Sequence, residues 1–143
     1  MKKYLALFFV LGLGSLHAEI RFPASSFEVS ALDEAKAAAA KKNQPIAFVY
    51  TDKNTTCPLC QGATTSILQE FRSSAVIVYV KDINRAPRKV GKVLSSKGKY
   101  IPKVALFDAD LSKDFGMVTY EEIKSEGERP LRELKKAAKS NAG

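Results

Sequence analysis

Runs of apolar residues of strand length alternate along the chain with segments whose apolar positions recur at helical spacing. Ile46-Ala47-Phe48-Val49-Tyr50 is continuous and apolar, and a run without alternation predicts a strand buried on both faces, as at the centre of a partly parallel sheet. Ala75–Val80 has the same character. Pro102 precedes a third strand, Lys103–Phe107. Asp108-Ala109-Asp110 then form a turn that brings a fourth, Phe115–Tyr120, back beside it as a hairpin.

Between these runs the period changes. Ser30, followed by Asp33 and Glu34, predicts a capped helix start, and the helix should run through Ala37–Ala40 to about Lys42, where Asn43, Gln44 and Pro45 end it. After the polar loop 51–56, Pro58 suits the first position of a helix with Cys57 as its cap. Ala63, Ile67, Leu68 and Phe71 would be its buried face. Ala86, Val90, Val93 and Leu94 share a face of a further helix, which Gly91 weakens and Gly98 should end. Glu128-Arg129-Pro130 opens a last helix with Leu131, Leu134 and Ala138 as its stripe. The predicted order is α-β-α-β-α-β-β-α, an α/β class with a central mixed sheet and helices on both faces.

Composition narrows the chemistry. Lys2, Lys3, the apolar run Leu5–Leu13 and the small residue Ala18 have the layout of a secretory signal peptide, and the apolar run is too short to span a bilayer. No cysteine near the cut marks a lipoprotein. The expected organisation is a signal peptide over 1–18, a lead-in segment over 19–29 and one domain over 30–143. The chain is thus expected to be exported, periplasmic or secreted, without stable membrane insertion after cleavage. The formal charge of +8 falls to +6 once Lys2 and Lys3 are removed, an excess that favours acidic partners. No aromatic–basic interleaving suggests nucleic acid.

The sole histidine, His17, lies in the signal segment. A mature chain without imidazole excludes Ser-His-Asp and Cys-His catalysis. Two cysteines supply half a tetrahedral zinc site, so no metal is expected, and no cofactor. Those cysteines stand as Cys57-Pro58-Leu59-Cys60, between a strand and a helix. A Cys-x-x-Cys there, in an exported chain, points to thiol–disulfide exchange. The N–H groups and dipole at the helix start favour a thiolate on Cys57. Cys60 lies one turn deeper on the same face, placed to resolve a mixed disulfide. Pro58 stiffens the turn, and Leu59 is expected to be exposed beside the sulfurs, where it could touch a substrate. The contrasting possibility is a static disulfide stapling one helical turn, a poor stabiliser because the loop is so short. The protein would then be a binding or structural module without turnover.

The Cys57–Cys60 turn, with Tyr100-Ile101-Pro102 about forty residues later and just before a strand, resembles the thioredoxin superfamily over Ser30–Lys139. Within it the chain looks most like exported thioredoxin-like proteins. The resemblance implies a thioredoxin-like fold over 30–143 and a cis-proline at Pro102 facing the sulfurs. It also implies that Ile101 and Pro102 present a backbone edge to the substrate, and that the partners are protein thiols or disulfides and an unidentified redox partner. The chain departs from thioredoxin in having Thr56 before Cys57 and no tryptophan. Ile46–Tyr50 carries no aspartate where thioredoxin buries one, and Asp52 lies in the loop. Lys81–Lys103 holds eight basic residues and one acid, Asp82. The sequence leaves open whether they form a positive surface near the sulfurs or a solvated helix face. Oligomeric state and the direction of electron flow are not legible.

Overall fold

The computed structural model describes residues 19–141; the expected signal peptide lies outside the described residues. The elements are β1 (Phe27–Glu28), α1 (Leu32–Lys42), β2 (Ile46–Tyr50), α2 (Pro58–Phe71), β3 (Val76–Val80), α3 (Arg88–Leu94), β4 (Lys103–Phe107), β5 (Asp114–Thr119), α4 (Tyr120–Glu126) and α5 (Arg129–Ser140). Short 3-10 turns cover Val29–Ala31 and Ile83–Arg85.

One sheet has the order β1-β3-β2-β4-β5. The strands β1, β3 and β2 run parallel, while β4 is antiparallel to β2 and β5 antiparallel to β4. The apolar run Ile46–Tyr50 is therefore the central strand. Alternate side chains of each strand serve two cores. Ala47, Val49, Ile77, Val104 and Leu106 pack with Ile67 and Phe71 of α2, Ile123 of α4, and Leu131 and Leu134 of α5. Ile46, Phe48, Val76, Val78 and Phe107 pack on the other face with Ala35 and Ala39 of α1 and Val90 and Leu94 of α3. In segment 19–29, Ile20 is buried in the first core. Phe22 rests on Tyr79, ring centroids 4.9 Å apart, and Phe27–Glu28 pair with β3.

Several boundaries differ from the sequence reading. Ser30 does not cap α1, because Val29–Ala31 wind into a 3-10 turn and Ala31, with no capping side chain, precedes the helix. Asn43 in the left-handed conformation (φ 51°) closes it. Ala86 is extended, as the residue before a proline prefers, so α3 starts only after Pro87. It stops at Leu94 rather than Gly98, with the Ser95 hydroxyl bonding back to the Gly91 carbonyl at 2.6 Å. The hairpin strand ends at Thr119, not Tyr120. Thr119 and Glu122 form a capping box: Glu122 N–H donates to Thr119 Oγ1 at 3.3 Å, and Thr119 N–H to Glu122 Oε2 at 2.8 Å. That box starts α4, a helix the periodicity did not reveal, and Gly127 (φ 66°) separates it from α5.

Candidate functional site

Strand pairing gathers the candidate residues at one end of the sheet. Tyr50, the last residue of β2, pairs with Val80 of β3 and Lys103 of β4, and Lys103 pairs with Thr119 of β5. The loop from β2 to Cys57, the Ile101–Pro102 segment and the start of α4 therefore leave the sheet at the same end.

Both cysteines are free thiols and half-buried. Cys57 is the N-cap of α2 with Pro58 in its first turn. Its Sγ accepts the Cys60 N–H at 3.2 Å, and its own N–H donates to Thr55 Oγ1 at 3.3 Å. Hydrogen bonds from the Cys60 side chain and amide, joined by the Leu59 amide, hold the Cys57 thiol below its ordinary value against the opposing effect of desolvation. All these groups lie on the first turn of α2. Burial, reinforced by the hydrogen bond to Cys57 and the charge on its sulfur, pushes Cys60 up to about 11. The two thiols are thus set apart, one toward the thiolate and one held as the thiol. Pro58 is exposed, and Leu59 is 63% exposed beside them.

Beneath Cys60 lie hydroxyls. Thr64 donates to the Cys60 carbonyl at 2.8 Å. That commits its single proton, so the buried Thr51 is the donor in the 3.1 Å contact between Thr51 Oγ1 and Thr64 Oγ1. Asp52 is occupied in the loop, where its carboxylate accepts the Asn54 N–H at 2.9 Å.

The Ile101–Pro102 bond is cis, with Ile101 half-buried and Pro102 buried. The segment before it is fastened from behind. Glu121 Oε1 accepts the N–H groups of Lys99 at 2.7 Å and Tyr100 at 3.1 Å. Lys103 is 5% exposed, and its Nζ donates to the carbonyls of Leu94 at 3.0 Å and Gly98 at 2.8 Å. Burial lowers its pKa, partly offset by the Glu121 charge. Burial also works against the Glu121 charge, but the N–H groups of Glu121 itself, Lys99 and Tyr100 hold its carboxyl below its ordinary value.

The basic stretch 81–103 divides. Lys103 is turned inward, and Lys97 pairs with Glu122 at 2.8 Å. Lys89 bonds the Leu111 carbonyl at 2.8 Å, on the β4–β5 turn at the far end of the sheet. Lys99 lies over the Tyr100 ring, 5.7 Å from its centroid. No cation contributes to the lowering of Cys57 among the described residues.

Tyr120, Glu121, Thr51 and Thr64 stand at the site without a sequence motif that marks them; only the Thr119–Glu122 spacing could have drawn attention to α4. Tyr120 stacks edge-on against Tyr100, with ring centroids 6.3 Å apart. Desolvation first, then the negative charge of Cys60 and Cys57, raises its phenol.

No protein-family model matches the chain, and no curated protein matches it in sequence. A solved structure described as a DsbH oxidoreductase is similar to it, with a TM-score of 0.50, 18% sequence identity, and 85% of this chain and 86% of that chain covered. At that identity the likeness establishes the fold: the domain is thioredoxin-like, a mixed sheet with helices on both faces.

Proposed function

We propose that this chain is an exported thiol–disulfide oxidoreductase that exchanges disulfides with protein substrates through Cys57 and Cys60. The observation that carries the reading is the asymmetry of the two thiols: Cys57 Sγ takes an amide N–H at the start of α2, while Cys60 sits deeper with its proton held.

In the reducing direction the Cys57 thiolate attacks one sulfur of a substrate disulfide. That S–S bond breaks, the other substrate sulfur leaves as a thiolate, and a mixed disulfide with Cys57 remains. Cys60 gives its proton to solvent and attacks the Cys57 sulfur. The Cys57–Cys60 disulfide forms, the second substrate thiolate is released, and two electrons have passed to the substrate. A dithiol donor must then reduce the pair. Run in reverse, the same steps oxidise a substrate dithiol, and a disulfide acceptor must restore the pair. The reduction potential of the couple against its compartment sets the direction. Pro58 and Leu59 flank the attacking sulfur, and Ile101 and Pro102 offer a backbone edge along which a substrate strand can pair. The reading needs no metal or cofactor. Lys2, Lys3, Leu5–Leu13 and Ala18 support export to the periplasm or beyond, with the mature chain beginning near Glu19.

Trapping tests this. Cys60→Ser should accumulate mixed disulfides with partners through Cys57, and Cys57→Ser should accumulate none. If Cys60→Ser traps no partner in its native compartment and the wild type neither reduces nor oxidises model disulfides, the static-disulfide module replaces the oxidoreductase.

A further inference from the structure

Three helices end at the sheet end opposite Cys57: α1 at Lys42, α2 at Phe71 and α5 at Ser140. Ile46 begins β2 there and pairs with Val76 and Phe107. Val76 N–H donates to the Pro45 carbonyl at 2.9 Å, and Gln44 Nε2 to the Ser73 carbonyl at 3.2 Å. These bonds fasten the turn after α1 to the turn after α2. Between the two turns and α5 lies a cavity of about 430 Å³, lined by Lys42, Lys135, Lys139, Ser73 and Ser74, with Pro45, Leu106 and Ala138 as its apolar wall.

Among the described residues no acid lines this cavity. Lys135 is already spent: its Nζ lies 3.3 Å from Glu70 Oε1 and donates to the Glu70 carbonyl at 3.3 Å. Lys42 and Lys139 have no ion-pair partner among the described residues, so two ammonium groups are left free. The Ser74 hydroxyl is buried and has no partner. Lysines in a last helical turn offset the partial charge of the terminal carbonyls, which explains Lys42 and Lys139 one helix at a time. It does not explain why elements far apart in sequence bring them, with two serines, around one concave space.

We propose that this cavity binds a phosphate monoester, held by Lys42 and Lys139 with the hydroxyls of Ser73 and Ser74. Such an ester carries close to two negative charges at neutral pH, which matches the two free ammonium groups, and its oxygens accept from ammonium and hydroxyl alike. A rotamer change at Ser74 gives its hydroxyl the partner it lacks. At about 430 Å³ the space exceeds what a phosphate group fills and has the size of a small-molecule site, so an organic part as large as glycerol has room beside Pro45, Leu106 and Ala138. The site lies away from Cys57 and does not depend on the thiol chemistry. Two sources offer this ester: a soluble sugar or glycerol phosphate, and the headgroup of a phosphatidate lipid.

The test follows the amide resonances of the purified protein during titration with glycerol 3-phosphate, with glycerol as the control. The ester should shift the Gln44, Ser73, Ser74 and Lys139 amides saturably, and glycerol should not. Lys42 and Lys139 are exposed, so replacing either leaves the fold intact. Lys42→Ala and Lys139→Ala should each weaken binding roughly three- to ten-fold, the effect of losing one charged contact partly screened by water. Lys41→Ala removes the same charge from an exposed position that does not line the cavity, and should change binding less than about two-fold. Flotation with phosphatidylcholine vesicles, with and without phosphatidate, separates the sources. Binding confined to the phosphatidate vesicles adds the lipid headgroup as a ligand, and binding to neither leaves the soluble ester; both outcomes support the site. No saturable shift at millimolar ester, or equal weakening by Lys41→Ala and Lys42→Ala, would overturn it and leave these lysines as helix-end charges.

Discussion

Glu121 offers the sharpest check on how the Ile101–Pro102 segment is held. Replacing it with alanine removes the acceptor for two backbone N–H groups, at 2.7 and 3.1 Å. Hydrogen bonds to a charged group contribute about 1.5–3 kcal/mol each. Against this, Glu121 Oε2 is buried without a partner, and removing such an atom returns about 1–3 kcal/mol. The net expected cost is about 0–5 kcal/mol and centres on about 2.5 kcal/mol, which would lower Tm by several degrees in a domain of this size. Glu121→Gln keeps a carbonyl acceptor and should lose less. The pH dependence has a definite sign. A carboxyl held below its ordinary value in the folded state stabilises the fold above its unfolded pKa, and that contribution disappears as pH falls through the lower, folded pKa. Wild type should therefore lose stability on acidification below about pH 4.5, and Glu121→Gln should show a flatter profile there. Thermal melts of the three proteins across pH, with hydrogen exchange at the Lys99 and Tyr100 amides, measure both effects. If Glu121→Ala leaves those two amides as protected as in wild type, the brace does not exist and the reasoning fails.

Four further outcomes follow from the geometry. Because the groups lowering Cys57 are short-range hydrogen bonds on the first turn of α2, its alkylation midpoint should lie below an ordinary thiol's and hardly move with salt, unlike an effect due to screened cations. In Cys57→Ser the Cys60 midpoint should fall from about 11 yet stay above the ordinary value, because burial, its largest cause, remains. Gly98 has φ +78°, and a Cβ there would lie 2.8 Å from Thr119 Cγ2, so Gly98→Ala should cost about 1–3 kcal/mol. Gly62 in α2 has nothing within 4 Å of a Cβ, so Gly62→Ala should instead stabilise by roughly 0.5–1 kcal/mol; paired thermal melts decide both.

The strands and the Cys57 cap were legible because each rests on local chemistry. Ile46–Tyr50, Val76–Val80 and Lys103–Phe107 are apolar runs, and a proline after Cys57 sets the helix start. What escaped depends on partners far along the chain. Phe27–Glu28 is a strand only because β3 lies beside it; two residues carry no period. Thr64 interrupts the apolar face of α2 and is tolerated there because Thr51 and the Cys60 carbonyl satisfy it. Lys103 counts as surface charge in sequence, yet two carbonyls reached back from Leu94 and Gly98 make its burial possible. The capping box at Thr119 was readable, and α4 with it, but an apolar hairpin strand running into it masked the signal.

Departures from ordinary packing stand at both ends of the sheet. The far end has Asx turns, in which Asp108 accepts from Lys113 and Ser112 and Asp110 from Ser112, but also Leu111 and Asn43 in the left-handed conformation and a buried Ser74 hydroxyl without a partner. At the other end stand a buried lysine, a carboxylate oxygen with no partner, a left-handed glycine with no room for a side chain, and two thiols driven in opposite directions. Each of these costs stability or constrains sequence, and none is needed to close the two apolar cores on either face of the sheet. What distinguishes the Cys57 end is that its departures involve ionisable groups, Lys103, Glu121 and the two thiols, whereas those at the far end involve a hydroxyl and turn residues. Glu121 and Lys103 do not touch the sulfurs; they fix the backbone that leads into Ile101 and Pro102, on the same sheet end as Cys57. These charged groups therefore hold the segment that enters the cis Ile101–Pro102 bond, an arrangement that fits the proposed exchange with an extended substrate better than it fits a static one-turn staple.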